Sequence, residues 1–413
     1  MKEKSYMLAI PGQQEPEGRM EALGRLKNAP DFRVITADLE DEGNIGLTVE
    51  YGGSRYRALI YPTDFELPEF YRCQHLFPDV DIEAMENAEG GLAVEMMFGE
   101  DALASYHLQL KIIHAILPDA VAVLDDSSEK ILSGHWVALA AVSSVPPAPR
   151  YIYTAQAVSG DEPVVWLHTH GLNRCGLSEL EVLNSTKETY NSHYNVLETM
   201  ANRLLELEEP LEPKEPLYLA RLTDRAALIT TLVPWSEAVE LYDDDMLGGK
   251  DDRAEGHNEN TSAIFTYKTK EDYEEGKYSP ISIYDEILEK NPIYWISTSE
   301  TERMKALAAE RASYILRALS DEENHILIKI GLTIDEEYQE DNNTKEHIWF
   351  ELLEAKDGTL TGKLTQEPYY VSGMHQDDIG TYTLDDLTDW IIFTPKRRIT
   401  PDDVYIMDLE EKE

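Results

Sequence analysis

The chain has 413 residues, and its 80 acidic and 36 basic residues give a formal net charge of −44 at pH 7. This charge repels nucleic acids and anionic membrane surfaces. Binding to either would require a local basic patch, and we see none along the sequence. The 42% hydrophobic and 9% aromatic content is typical of a folded protein and argues against wholesale disorder.

Three features predict a cytoplasmic protein. The apolar segment after the charged N-terminus ends at Pro11, which is too short for the core of a signal peptide. The longest aliphatic run elsewhere, residues 136–142, is far below the ~18 residues that a membrane helix needs. With only Cys73 and Cys175, no disulfide framework is expected, and a reducing compartment fits.

The first 180 residues show a pattern typical of an α+β domain. Apolar residues at helical spacing predict helices over Pro16–Asn28 and Ala102–Leu117, the second stopped by Pro118. Gly52-Gly53 between two alternating segments predicts a tight hairpin, because both positions favour positive φ angles. The predicted strands cover residues 32–39, 47–51, 56–60, 92–98, 120–124, 151–158 and 164–170.

A long amphipathic helix is predicted from about Ser178 to Glu209, either continuous or broken near Asn184, with apolar residues at three- and four-residue steps in its second part. Prolines at 210, 213 and 216, interleaved with glutamates, predict an extended charged linker after it. We place the first domain boundary there, which leaves strand-like segments over 217–233 and a long polar surface loop over 242–260 in a middle segment.

The C-terminal part predicts a helix followed by an antiparallel sheet. The helix covers about Glu300 to Leu319, and strands are predicted over 326–332, 347–353, 359–364, 380–384 and 390–394. Asp357-Gly358 is a turn signal between two of these strands. The whole sequence therefore predicts a multi-domain α+β protein with mixed or antiparallel sheets, packed helices, and domains at 1–209, 217–291 and 292–413.

Two parts of the chain resemble uncharacterised bacterial families. The C-terminal part is similar to the domain of unknown function 2314 through Glu346–Phe350, Gly362, Leu364, Pro368 and Leu387–Trp390. The N-terminal and middle part resembles the domain of unknown function 4026 through Val165–Leu172 and Gly176–Glu181. Neither family brings a known activity. The stretches Val165–Leu172 and Gly176–Glu181 taken together are also similar to toxin-immunity modules of the suppressor-of-fused type, which implies partner binding.

The sharpest candidate for chemistry is the pair His168 and His170, followed by Ser178 and Glu181. The spacing resembles the metal motif of JAMM-type zinc isopeptidases, although that family has an aspartate at the position of Glu181. The resemblance implies a zinc ion held by His168, His170 and Glu181, with Ser178 supporting the oxyanion and an open position for water. Residues two apart on a strand share a face, so both imidazoles can reach one ion. No upstream glutamate can be assigned as the general base.

The same residues also have a structural interpretation. Ser178 and Glu181 fit a capping box at the start of the predicted helix, and Gly171 and Gly176 suit the turn before it. On this interpretation the two histidines share a face with Trp166 and are partly buried and hydrogen-bonded.

Three further candidates each have two interpretations. The loop from Asp243 to Asp252, with His257 nearby, is either a Ca²⁺ site or a solvated acidic loop. Cys175 beside Arg174 is either a thiol of lowered pKa or a small buried residue. His347 and Trp349 alternate onto one strand face, for which we expect core packing or a domain contact.

The chain lacks a phosphate-binding glycine loop, a dinucleotide motif, a nucleophile elbow and a CxxC pair, which argues against nucleotide enzymes and serine hydrolases. Three functions remain, one of which is a multi-domain scaffold whose modules each bind something small. The first is a non-catalytic binding or immunity-type module without a cofactor, whose acidic surface attracts a basic protein partner. The alternative is a JAMM-type zinc-dependent hydrolase using His168, His170 and Glu181. Solubility alone also explains the charge. We favour partner binding and assign no catalytic residue.

Overall fold

The computed structural model describes residues 2–12, 19–39, 44–64, 66–73, 77–160, 163–207, 209–223, 226–243, 246–253, 260–291, 293, 298–339, 344–356 and 358–410. The chain divides into two compact units, one formed by residues 1–142 and 146–295 and the other by 143–145 and 296–413. The described residues form three sheets with packed helices, which confirms the predicted multi-domain α+β fold. None of their helices has the length and apolar character needed to cross a membrane.

The first sheet lies in the first unit and is antiparallel throughout. Its strands are β1 (Lys4–Pro11), β2 (Arg33–Leu39), β3 (Ile45–Tyr51), β4 (Ser54–Thr63), β5 (Gly91–Met97), β6 (Ala120–Asp125) and β7 (Lys130–Ser133). They are arranged in the order β2-β3-β4-β5-β1-β6-β7. The helices of this part are α1 (Arg19–Lys27), α2 (Ile82–Glu86), α3 (Ala102–Ile116) and α4 (Gly134–Val142).

Local signals in the first sheet and its helices predict the structure well. Gly52 and Gly53 have φ angles of 56° and 79° and connect β3 to β4 with Tyr51 opposite Ser54, which confirms the hairpin. The helix α3 is confirmed, and Asp101 caps it by accepting a hydrogen bond from the backbone N–H of Ala104 at 2.9 Å. The helix α1 confirms the described part of the helix predicted from Pro16, whose first residues lie outside the described ranges.

The second sheet also lies in the first unit. Its strands are β8 (Thr154–Ser159), β9 (Val164–His170), β10 (Glu179–Thr186), β11 (Leu217–Thr223), β12 (Ala226–Pro234), β13 (Thr261–Thr266) and β14 (Ser279–Pro280). Its helices are α5 (Tyr190–Leu205), α6 (Trp235–Ala238), α7 (Lys270–Glu274) and α8 (Asp285–Lys290). The main order is β11-β12-β13-β10-β9-β8, with β14 beside β13. Strands from both sides of the proline linker at 210–216 therefore belong to one sheet.

The long helix predicted from Ser178 to Glu209 is wrong in its first part. Residues 179–186 form β10, and α5 begins only at Tyr190. The Glu-Leu-Glu-Val segment alternates with the period of two that a strand needs. Antiparallel pairing with β9 and parallel pairing with β13 satisfy its backbone on both sides. Ser178 thus precedes a strand, and the capping box does not form.

The third sheet forms the second unit together with its helices. Its strands are β15 (His325–Thr333), β16 (Lys345–Lys356), β17 (Thr359–Leu364), β18 (Ile379–Thr383), β19 (Leu387–Phe393) and β20 (Arg398–Ile399), in the antiparallel order β18-β17-β16-β15-β19-β20. The helices are α9 (Thr298–Glu310), α10 (Ser313–Ala318) and α11 (Tyr405–Glu410). The predicted helix therefore appears as two helices, and the antiparallel sheet is confirmed. The turn residue Gly358 has a φ of 78°, whereas Asp357 lies outside the described residues.

A buried ion pair joins the two sheets of the first unit. Arg174 lies in a short helical turn after β9 and donates to both carboxylate oxygens of Asp125, at 2.7 and 2.9 Å. Asp125 is the last residue of β6 in the first sheet. The two side chains are 1% and 0% exposed. The pair therefore fixes the turn after β9 to the end of β6 in a place that water does not reach.

The two Nη atoms and the guanidinium carbon of Arg174 also contact other groups. It donates to Ser5 Oγ at 3.1 Å and to the backbone carbonyl of Ile152. Its carbon lies 5.4 and 5.2 Å from the ring centroids of Phe98 and Tyr106. Such hydrogen bonds and ring contacts are what a buried cation needs to offset its lost hydration.

We expect Arg174→Met to lower the free energy of unfolding by about 3–5 kcal/mol, because it leaves the Asp125 carboxylate buried without its cation. The double variant Asp125→Leu/Arg174→Met removes both charges and should lose less. Urea unfolding of the full chain measures both effects. Arg57→Met, at an exposed position of β4, is the control and should be nearly neutral. A single Arg174→Met variant as stable as this control would contradict the role given to the pair.

Candidate functional site

The strand β9 places Trp166, His168 and His170 on one face of the second sheet. The ring centroids of the two histidines are 4.9 Å apart, and those of Trp166 and His168 are 4.2 Å apart. His168 is 3% exposed and His170 is 8% exposed. The strand therefore brings the two imidazoles together, as the sequence spacing predicts, but in a nearly buried position.

Glu181 lies opposite His168 in the pairing of β9 with β10. Its carboxylate is bound by Arg253, which donates from Nη1 to Oε1 at 2.8 Å and from Nη2 to Oε2. The Arg253 guanidinium carbon also lies 4.5 Å from the ring centroid of Trp235 and 5.3 Å from that of Trp166. Burial raises the pKa of Glu181, and the arginine opposes this effect. A cation that used Glu181 would have to compete with Arg253.

Sequence reasoning missed Arg253 because it lies 72 residues from Glu181, in the loop predicted to be polar surface. The one available signal is that Arg253 is the only arginine in the acidic stretch 242–260. Its Nε and Nη2 also donate to the carbonyl of Gly248, at 3.1 and 2.9 Å. Residues 246–253 of this loop therefore lie against the second sheet, where Arg253 reaches a buried carboxylate.

The structure does not assemble the metal site beyond the histidine pair. Within the described ranges, no group of three or more His, Cys, Asp and Glu side chains is arranged to hold a metal ion. The hydroxyl of Ser178, proposed to support an oxyanion, contacts Ser262 Oγ at 3.0 Å and donates to the carbonyl of Glu179 at 3.1 Å. The zinc site at His168, His170 and Glu181 stays a prediction.

His170 also reaches toward the first sheet. Its Nδ1 atom is 3.4 Å from Oε1 of Glu129, and Gln156 donates to the other oxygen of that carboxylate at 2.9 Å. Burial nevertheless lowers the pKa of His170 to about 4. The imidazole is therefore neutral near pH 7, which suits a hydrogen-bonded structural residue and also a metal ligand.

A second constellation, not predicted from the sequence, joins Ser185, His193 and Asp285. His193 Nδ1 is 2.7 Å from Ser185 Oγ, and its Nε2 is 2.8 Å from Asp285 Oδ1. Burial lowers the pKa of His193, although Asp285 opposes this. The three residue types are those of a hydrolytic triad, but Ser185 is 0% exposed, so its hydroxyl does not reach a substrate. The chain of hydrogen bonds instead ties β10, α5 and α8 together.

Two other sequence candidates are used within the fold. Burial raises the pKa of Cys175 to about 12, so its thiol is not the reactive thiolate that Arg174 suggested. In the acidic loop, Asp252 Oδ2 accepts a hydrogen bond from the backbone N–H of Gly248 at 2.7 Å. His257 and part of this loop lie outside the described residues, so the calcium interpretation stays a prediction.

The neutral state of His170 predicts acid sensitivity. The unfolded chain binds a proton near the ordinary pKa of 6.5, whereas the native state does so only near 4, so stability falls as the pH drops between these values. The difference corresponds to roughly 3 kcal/mol. We expect His170→Gln to remove about that much of the pH dependence of the unfolding free energy, measured by urea unfolding across this pH window. The more exposed His135→Gln is the control, and a His170→Gln slope equal to that of wild type would refute the assignment.

The ion pair of Glu181 with Arg253 predicts how the protein responds to metal removal. We expect EDTA to leave the thermal midpoint of the purified protein unchanged, because the carboxylate already has a cation. Elemental analysis of wild type, His168→Ala and Arg253→Met then tests the ligand set. Stoichiometric zinc in wild type that His168→Ala removes would establish the metal site and contradict this expectation.

The comparisons with known proteins agree with the family resemblances. Models described as protein of unknown function (DUF4026), N-terminal and C-terminal, match residues 5–147 and 155–265. A model described as an uncharacterized protein conserved in bacteria (DUF2314) matches residues 301–404. No curated protein and no solved structure gives a match. The chain therefore belongs to the DUF4026 family of proteins of unknown function, and a DUF2314 domain follows at its C-terminal side.

Proposed function

We propose that this protein is a non-catalytic, cytoplasmic binding module whose first unit engages a basic protein partner through an acidic surface. The main support is an acidic segment, residues 64–89, which contains eight Asp or Glu residues and a single Lys or Arg. An immunity-type role, in which the partner is a cationic toxin, is the specific form that the family resemblance suggests. No cofactor is needed for such a role.

Polar side chains that suggest catalysis have structural partners in this fold. Arg253 binds Glu181, Arg174 binds Asp125, and His193 bridges Ser185 and Asp285. All these groups except Asp285 are nearly or fully buried. A surface function fits this arrangement better than chemistry at any of the three clusters.

Buried side chains anchor the described part of the acidic segment on the first sheet. Leu67, Tyr71 and Met85 are buried against the apolar side chains of that sheet. The hydroxyl of Tyr71 also donates to Asp126 Oδ1 at 3.1 Å. The exposed carboxylates of Glu66 and Glu69 therefore extend from a backbone that these contacts anchor, so little conformational entropy is lost when a partner binds.

A cleft of about 650 Å³ opens on this segment. Glu66 and Glu69 line it, together with Leu67, Pro68 and Arg72. Arg72 is already paired with Glu86. The two lining glutamates thus face an opening that suits a lysine or arginine side chain of a partner, with apolar contact to its methylene stem.

The charge of the whole chain adds a long-range effect. A net charge of −44 attracts cationic proteins and raises their association rate at low salt. That attraction is unspecific, whereas a fixed acidic cleft selects the position and orientation of the partner. The two effects can be separated with variants that change the same amount of charge at different places.

We expect Glu66→Lys/Glu69→Lys to reduce capture of basic proteins from lysate by at least about tenfold at about 50 mM salt, with captured proteins released at about 500 mM. The matched control Glu322→Lys/Glu323→Lys changes the net charge equally at exposed positions of the second unit and should keep capture. Quantitative mass spectrometry of the captured proteins provides the measurement. Equal losses in the two variants, or captured proteins that are not basic, would contradict the proposal.

The zinc-hydrolase alternative has one observation in its favour, the adjacent imidazoles of His168 and His170. It requires that Arg253 release Glu181 when the ion binds. The metal analysis described above decides between this alternative and a metal-free binding module.

A further inference from the structure

We propose that the second unit binds a phosphate-type oxyanion at a cationic site on the open face of the third sheet. The cationic site consists of Lys329 of β15, Lys345 and His347 of β16, and Thr388 of β19, and Lys305 of α9 adds its charge through an electrostatic effect on His347. The partner-binding surface proposed above lies in the first unit, so the two proposals are independent.

Strand register brings the members of the site together. Gly331 lies opposite His347, Thr333 lies opposite Lys345, and Lys329 lies opposite Trp349. Side chains two residues apart on a strand share a face, so the lysines, the histidine and the tryptophan all lie on the same side of β15 and β16. The other side carries the apolar core, where Trp390 donates from Nε1 to the carbonyl of Ala308 in α9 at 3.1 Å. His347 and Trp349 thus lie away from that core.

Gly331 forms the floor of the site. A Cβ atom at this position would lie 3.2 Å from Lys345 Cδ and 3.4 Å from both His347 Cε1 and Thr388 Cγ2. Three side chains from two strands therefore converge over a residue that has none. The missing side chain leaves their polar ends close together above the sheet.

Hydrogen bonds define which ring nitrogen of His347 is available. Thr388 Oγ1 donates to the carbonyl of Lys329 at 3.1 Å and lies 3.2 Å from His347 Nδ1. Because the hydroxyl hydrogen is directed to that carbonyl, the oxygen accepts from Nδ1–H. Nε2 is therefore the nitrogen that takes up a proton when the ring becomes charged.

The lysines are unusual because no described carboxylate forms an ion pair with them. The chain has more than twice as many acidic as basic residues, yet within the described part of the chain no carboxylate forms an ion pair with Lys305, Lys329 or Lys345. On the same sheet, Lys363 pairs with Glu351 at 3.2 Å. Burial lowers the pKa of His347, and the positive charges of Lys329, Lys345 and Lys305 lower it further. Their mutual repulsion is a cost that a bound anion would relieve.

Two carboxylates also face the site, and neither replaces an anion. Asp386 accepts hydrogen bonds from the backbone N–H and hydroxyl of Thr383, at 3.1 and 2.9 Å. Asp389 lies opposite Lys329 and accepts from the backbone N–H of Trp390 at 2.8 Å. Burial raises the pKa of Asp389 to about 6. Three ammonium groups therefore face two carboxylates that are already hydrogen-bonded, which leaves the site cationic.

Phosphate is the anion class that this donor set fits. Lysine ammonium groups bind phosphate oxygens as point charges, and a protonated imidazole adds a directional N–H donor. Lys329 Nζ lies 5.3 Å from the ring centroid of the half-buried Trp349, so an aromatic surface borders the site. A free phosphate ion would use the cations alone, whereas an aromatic phosphate ester would also pack against the tryptophan.

The test follows the Cε1–H signal of His347 by NMR during pH titration of the full chain, with the signal assigned from His347→Gln. Inorganic phosphate and phenyl phosphate are compared with sodium chloride at equal ionic strength. We expect either phosphate to raise the pKa of His347 by about one unit, because the anion offsets the three lysines. Tighter binding of phenyl phosphate would identify an ester that uses Trp349, and tighter binding of inorganic phosphate a free ion.

Matched lysine variants make the result specific. Lys305→Gln/Lys345→Gln should abolish the phosphate-dependent shift of the His347 pKa. Lys356→Gln/Lys363→Gln removes the same charge elsewhere on the third sheet and should keep it. The same shift with chloride, no shift with either phosphate, or a shift that survives in the first variant would each overturn the proposal.

Discussion

The buried pair of Asp125 and Arg174 is the interaction on which the first unit depends. Two charges out of water are costly unless each is paired and hydrogen-bonded, and here the guanidinium has a carboxylate, a hydroxyl, a carbonyl and two aromatic rings around it. Lys130 is buried in the same region, where it donates to the carbonyl of Tyr153 at 3.0 Å, and burial lowers its pKa to about 7. These contacts set the position of β9 and of the histidines on it.

A second buried carboxylate, on the strand β10 beside β9, also has an arginine as its partner. A buried carboxylate such as Glu181 requires a nearby cation. Arg253 provides it from a loop whose sequence predicts polar surface. Ion pairing with Arg253 and metal binding therefore compete for Glu181, because a carboxylate that binds a guanidinium through both oxygens has no oxygen free to coordinate a metal ion. Function is better sought where the described residues show no such pairing, at Glu66 and Glu69 of the acidic segment and at the lysines of the second unit.

Short sequence signals correctly predicted the elements whose conformation depends on neighbouring residues. Two glycines with positive φ define the β3–β4 hairpin, and an apolar face closed by Pro118 defines α3. The strand β10 was mispredicted, because its alternating segment begins with residues that also suit a helix N-terminus. Its conformation depends on partners far away in sequence, β13 on one side and β9 on the other. Long-range pairing overrode the local preference.

The sequence by itself determined the net charge, the α+β fold class, the family membership and the adjacency of His168 and His170. Those properties follow from residue counts, from short-range periodicity and from recognisable local motifs. Only the tertiary structure decided which charges are neighbours. It joined Glu181 to Arg253, and it placed Lys329 and Lys345 on the same sheet face as His347 in a chain where acidic residues predominate. Charge adds along a sequence without regard to order, whereas electrostatic energy depends on distance, and distance is set by sheet register and helix packing.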